Sequence, residues 1–261
     1  MAQVMDYAIL IVFGVVPAII WLLFYLRKDS HPESKRMVIK MFLYGLLAVI
    51  IAAIIEIVLI FVLAFVFPGY EIDWQNMKII ESEFSILFFL IEGFVIVAFI
   101  EELCKFLIVK LRLLNDPEFD EPVDAMLYMI IVALGFAALE NIFYFHAIED
   151  PLVAELAWFS AFRFLGANFL HALASGIVGY YLAQCIVKCK KHLILKGLII
   201  AALLHGLFNI SMSEFSRGLI EKNYLDSYLA LGFAIILLSS AAFFVSHCFK
   251  KVKKIKSTCN I

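Results

Sequence analysis

Residues 37–67 read MVIKMFLYGLLAVIIAAIIEIVLIFVLAFVF, a run of 31 positions in which Lys40 and Glu56 are the two charges. A helix crosses the hydrocarbon core of a bilayer with about 20 largely apolar residues, and this run exceeds that length without leaving one face polar. It predicts a membrane helix long enough to tilt or to extend past the bilayer. Working outward, six more apolar runs of membrane length lie at 5–26, 84–111, 124–148, 157–187, 193–212 and 227–249. The fold class is therefore all-α: a polytopic membrane helical bundle of about seven transmembrane helices. Composition agrees. The chain of 261 residues is 64% hydrophobic and 17% charged, with a mean hydropathy of +0.99, whereas soluble domains run at roughly 45–50% apolar and about 25% charged. That excludes an ordinary soluble enzyme, a disordered chain and a nucleic-acid binder. No connection is long enough for a soluble domain, so 1–261 reads as one integral-membrane domain with its motif-bearing core at about 84–213.

The basic residues orient the bundle. Of 21 Lys and Arg, 16 fall on alternate connections: the 27–40 loop, Lys110 with Arg112, the 188–196 loop and the tail from Lys250. The other side holds only Lys78, Arg217 and Lys222, with acidic connections around Glu71, Asp73, Glu81 and Glu83 and around Glu149, Asp150 and Glu155. The positive-inside rule then places the N-terminus outside and the C-terminus inside. The first span lacks the basic start and small-residue exit of a signal peptide and is expected to be retained. Cys104, Cys185, Cys189, Cys248 and Cys259 fall at the inner side, where thiols stay reduced, and read as packing residues.

A charge at the centre of a spanning helix costs roughly 2.5–3.5 kcal/mol, so each one needs a reason. Seven do: Glu56, Glu92, Glu101, Glu102, Lys105, Glu140 and Arg163, joined by His171, His205, Asn141, Asn168 and Asn209. In I-E-E-L-C-K-F, Lys105 follows Glu102 by three residues and Glu101 by four, which puts all three on one helical face. One Glu would suffice for an ion pair. The second carboxylate is free to be protonated, to bind a metal, or to act as a base on water. Glu140 and Arg163 reach comparable depths, and a bridge between them is the plainest structural account. Asn168, His171 and Ser175 form a stripe on the fifth span, with Ala172, Gly176 and Gly179 permitting close helix approach. His205 and Asn209 lie one turn apart on the sixth.

Glu101, Glu102, His171 and His205 all fall near their helix midpoints, so one polar cavity could collect them. Two chemistries are then open. Glu102, His171 and His205 could hold a divalent metal such as zinc that activates water. Alternatively, without a metal, Glu101 or Glu102 with a histidine activates water while His205 and Asn209 donate to the oxyanion. Neither a His-Glu-x-x-His helix nor a Gly-x-Ser-x-Gly turn is present. A transporter or proton relay would use the same residue types, but no internal repeat supports it. A non-catalytic peptide-binding scaffold could share the same cavity.

At Glu101-Glu102-x-x-Lys105, at F-D-E-P-V-D before the fourth span, at Phe136-x-x-x-Glu140-Asn141, at Arg163 with His171 and at His205-x-x-x-Asn209, the sequence resembles the PrsW family of intramembrane proteases, within the wider Abi and CAAX-processing superfamily. The resemblance covers roughly 91–211. It implies a multi-pass protease of the bacterial cytoplasmic membrane, usually described as a metalloprotease, that cuts single-span substrates such as anti-sigma factors and so starts a stress response. By position it implies catalytic roles for Glu101, Glu102, Lys105, Glu140, His171, His205 and Asn209. Asn141, Arg163 and Asn168 would support them. Nucleic acid is not expected as a partner; the lipid bilayer is.

Overall fold

In the computed structural model the described residues are 2–28, 33–66, 70–73, 78–81, 86–114, 116–148 and 151–255. The expectations that rest on Glu83, Glu149, Asp150 and Cys259 lie outside them. The chain is a multi-pass helical bundle. Helices α1 (Ala2–Leu26) and α2 (Lys35–Val66) lead to a small antiparallel hairpin, β1 (Tyr70–Asp73) with β2 (Lys78–Glu81), in which Tyr70 faces Glu81. The acidic connection expected here thus carries a strand pair. Next, α3 (Ile86–Leu90) runs unbroken through a π-helical stretch (Ile91–Phe99) into α4 (Ile100–Arg112). Helices α5 (Asp124–His146), α6 (Val153–Leu165), α7 (Ala167–Lys188), α8 (His192–Ile220) and α9 (Tyr224–Val252) complete the bundle.

Among the described residues six helical stretches are long and apolar enough to cross a membrane: Tyr7–Leu26, Lys35–Val66, Asp124–His146, Val153–Lys188, His192–Ile220 and Tyr224–Val252. The seventh expected run is helical at 86–112, but its centre carries Glu101, Glu102 and Lys105 and it packs against α2, α5 and α8. The single span expected at 157–187 is instead bent at Gly166 (φ −98°, ψ −93°), where α6 ends and α7 begins. Phe162 still accepts from the Gly166 amide and Gly166 from that of Leu170, so the backbone bonding continues across the bend. The bend leans α6 onto α1 while α7 packs on α5 and α8.

The central post is α5. Its sequence is apolar on every face, which suits a helix surrounded by others, and every residue from Asp124 to Ala138 is buried. Close approach on two sides explains how it is enclosed. A Cβ added at Gly45 would lie 2.2 Å from the Val132 carbonyl oxygen, and one at Gly135 2.1 Å from that of Phe42, so α2 and α5 touch backbone to backbone. On the other flank a Cβ at Gly179 would lie 2.5 Å from Ala125 O. Small residues drive such contacts because helices in lipid gain chiefly from dense packing. Gly135→Leu is therefore expected to force α2 and α5 apart and cost at least about 1–3 kcal/mol. Gly232→Leu, with nothing within 4 Å of its added Cβ, should leave the melting temperature in detergent unchanged. Equal melting of the two variants would refute this account of the packing.

Candidate active site

Three structural features bring the polar residues together. The π-helical stretch ends at Phe99, two residues before Glu101, and such stretches interrupt α-helices often at functional positions. Gly206 lets the Phe94 ring of that stretch lie against α8, where an added Cβ would be 2.4 Å from Phe94 Cδ1, so the His205 turn sits beside the start of α4. The bend at Gly166 turns α7 so that His171 and Ser175 face the same interior.

Lys105 is the hub. Its side chain is fully buried, and its ammonium donates to Glu102 Oε1 at 2.8 Å, to Glu101 Oε2 at 3.1 Å and to His171 Nδ1 at 2.8 Å. It also lies 4.0 Å from the centroid of the Phe136 ring. All three N–H groups are thus used, as burial of an ammonium requires. Lys105 cannot accept a hydrogen bond, so His171 Nδ1 must be the unprotonated nitrogen, and Nε2–H donates to Glu140 Oε2 at 2.9 Å. The Arg163 guanidinium donates to that same Glu140 oxygen at 2.8 Å and to Asn141 Oδ1. Asn141 in turn donates to Gly14 O and to Asn168 Oδ1, each at 3.0 Å. The Asn168 amide nitrogen is buried without a partner among the described residues.

The two adjacent glutamates differ. Glu102 is fully buried, with Oε1 receiving Lys105 and, at 3.3 Å, His205 Nδ1, and Oε2 receiving the Ser175 hydroxyl at 2.8 Å. It fixes His205 with Nδ1 protonated and leaves the Nε2 lone pair bare. That lone pair lies 3.8 Å from Glu101 Oε2, which is also 3.8 Å from His171 Nδ1. The two imidazoles meet edge to face with centroids 5.0 Å apart. Among the described residues Glu101 has only the Lys105 hydrogen bond, so it keeps acceptor capacity toward this gap.

Ligand atoms of Glu101, His171 and His205 all lie within 4.8 Å of one another, a group that could hold a metal ion. The carboxylate of this group is Glu101, where the sequence reading had placed Glu102. Two imidazoles and one carboxylate with an open fourth position match catalytic zinc sites in donor type. Charge points the same way, since Glu101, Glu102 and Glu140 outnumber Lys105 and Arg163 by one. The donors fit, with one condition: Lys105 Nζ has to release His171 Nδ1 for that nitrogen to bind an ion.

A cavity of about 570 Å³ between α6, α7 and α8 opens against Glu140, Arg163, His171 and His205; Glu101, Glu102 and Lys105 do not line it. His171, His205, Glu140 and Asn209 form its floor, Trp158, Phe162 and Phe215 its apolar walls, and Ser213 and Ser216 continue the polar line of Asn209 along α8. Sequence reasoning brought Glu101, Glu102, Lys105, Glu140, Asn141, Arg163, Asn168, His171, His205 and Asn209 to one region, and the structure places all of them there. It had noted Ser175 only as part of a stripe, and it missed the cation–π contact of Phe136 and the aromatic walls. Glu56, one residue outside the motifs, has Oε1 buried with no partner among the described residues.

Residues 33–240 match the family described as PrsW family intramembrane metalloprotease. The chain is 30% identical over 205 residues to Protease PrsW of Geobacillus kaustophilus, a match covering 77% of this chain and 78% of that protein. It is 29% identical to Protease PrsW of Oceanobacillus iheyensis (78% and 82% covered) and 28% identical to that of Bacillus subtilis (78% and 83%). No solved structure gives a significant match.

Proposed function

The chain belongs to the PrsW family of intramembrane metalloproteases, and on that footing we propose that it cleaves single-span membrane proteins, anti-sigma-factor-like substrates among them, using water activated at Glu101. It is a peptidase and a multi-pass bacterial membrane protein. Kinship with the Abi and CAAX-processing proteases, suggested by the Glu-Glu-x-x-Lys run, belongs to the same reading.

One observation carries the choice of Glu101. Its Oε2 and the bare Nε2 of His205 lie 3.8 Å apart across a gap, whereas Glu102 is enclosed by three donors. A water seated beside that pair can donate one proton to each acceptor, which leaves its oxygen lone pairs free for the scissile carbonyl carbon. Glu101 takes a proton as the water oxygen bonds to the scissile carbonyl carbon, and returns it to the amine nitrogen as the C–N bond breaks. Asn209, one turn along α8 and lining the cavity, donates to the carbonyl oxygen as it gains charge. Lys105 and Glu102 are positioning residues that hold Glu101 and His205. Arg163, Asn141 and Glu140 hold the His171 ring and order the cavity floor. A divalent ion held by Glu101, His171 and His205 would occupy those same acceptors and so replace Glu101 as the activator of water, supplying Lewis-acid polarisation and a more acidic water. The aromatic walls suit an unfolded apolar segment, and Ser213 and Ser216 offer hydrogen bonds to its backbone.

The test is a census of membrane-protein N-termini in cells producing wild type or His205→Ala at matched levels. The expected result is a set of new termini in single-span proteins that disappears in the variant. An identical set of termini in both, under every stress applied, would overturn the assignment.

A further inference from the structure

A second cavity, about 320 Å³, lies between α1, α7 and α9, away from the catalytic residues. Its two ends differ in kind. At one end it is lined by Lys28, just beyond the end of α1, and by Lys250 and Lys253 at the end of α9. Lys28 Nζ sits 4.7 Å from the centroid of the Phe24 ring, and Lys253 Nζ donates to the Lys28 carbonyl oxygen, so these side chains are gathered at one mouth. Among the described residues no carboxylate lines the cavity and none of the three lysines is ion-paired. Like charges brought together without a counter-charge call for an anion.

The other end is apolar. Trp21 stacks on Phe169 with centroids 4.4 Å apart and planes 10° apart, and Leu173 and Ala242 complete the wall. The indole N–H is already spent on the Phe164 carbonyl at 2.8 Å, so the Trp21 ring offers only its apolar surface to an occupant. From Lys253 back to Ala242, both lining the cavity, α9 rises about 16 Å at 1.5 Å per residue. The hydrocarbon core is about 30 Å thick, so the slot has the depth of one leaflet. A charged mouth at the membrane border and an apolar slot one leaflet deep match the two halves of a phospholipid.

We propose that this slot binds one anionic phospholipid, its phosphate held by Lys28, Lys250 and Lys253 and an acyl chain lying along Trp21, Phe169 and Leu173. A free phosphate would have no use for the apolar length, and a zwitterionic lipid would leave the lysines uncompensated. The site is independent of the proteolytic reading, because it shares no lining residue with the catalytic cavity.

The full chain carries three tryptophans, and with Trp74→Phe and Trp158→Phe, Trp21 becomes the sole reporter. This protein is placed in phosphatidylcholine nanodiscs and titrated with phosphatidylglycerol brominated on its acyl chains, in parallel with brominated phosphatidylcholine. Quenching of Trp21 is expected to half-saturate at about tenfold lower mole fraction for phosphatidylglycerol, given the pull of three lysines at a membrane surface. Lys28→Gln/Lys250→Gln/Lys253→Gln should abolish that preference. Ala242→Phe, which fills the slot and keeps the lysines, should weaken quenching by both lipids. Millimolar inorganic phosphate should displace neither. Equal quenching by the two lipids in the unmodified slot, or a preference that survives loss of the lysines, would overturn the proposal, and displacement by phosphate would reassign the site to the free anion.

Discussion

Glu101→Gln, purified and reconstituted into bilayers, is expected to lower the cleavage rate roughly 10²–10⁴-fold, the usual worth of a general base, while leaving the melting temperature near that of wild type. The fold tolerates the change because Lys105 keeps Glu102 at 2.8 Å and His171 at 2.8 Å, and the amide oxygen of Gln can still accept from the ammonium. What is lost is the proton acceptor beside His205 Nε2. Glu102→Gln should behave differently. Among the described residues its oxygens meet only Lys105, Ser175 and His205, so the substitution disturbs the orientation of His205 rather than removing a base. A loss of about tenfold, the order seen when partners behind a ligating or catalytic histidine are changed, is expected. Rates measured on one quantified substrate decide the matter. If Glu102→Gln were the more severe of the two, the base would be Glu102 and the role given to Glu101 would fall.

The second large effect concerns the charge at the centre of the network. Lys105→Met removes the cation that faces two buried carboxylates and is expected to destabilise the protein by about 3–5 kcal/mol, the cost of leaving buried charge unpaired. The thioether chain fills most of the stem's volume and can stay against the Phe136 ring, so lost packing contributes little. Adding Glu102→Gln to Lys105→Met removes one of the stranded carboxylates and should restore part of the stability, though not the activity, because His171 Nδ1 and Glu101 still lack their donor. Thermal unfolding in detergent of the two single variants and the double variant measures this directly. Unchanged melting of Lys105→Met would show that Lys105 is not what holds the pair.

Much of this could be anticipated from residue order. Glu101, Glu102 and Lys105 share a face because three and four residues are the helical neighbours, so their mutual contact needed no tertiary information. A bridge between Glu140 and Arg163 followed from depth alone, and the structure contains it. The division of labour between Glu101 and Glu102 could not be read this way. The two residues are adjacent and chemically identical, and what separates them comes from other helices: Ser175 on α7 and His205 on α8 close around Glu102. The same holds for His171, whose tautomer is set by Lys105 from α4 and Glu140 from α5.

That this chain is a helical membrane protein, and which polar side chains have to leave the lipid, follows from residue order, because water-to-bilayer transfer is a property of each segment on its own. The bend at Gly166, against Phe208, and the backbone contact of Gly45 with Gly135 come from tertiary packing, since each depends on a surface that a distant segment presents. For the same reason the carboxylate facing the two histidines is Glu101. Its neighbour is already saturated by donors from helices that the local sequence does not contain.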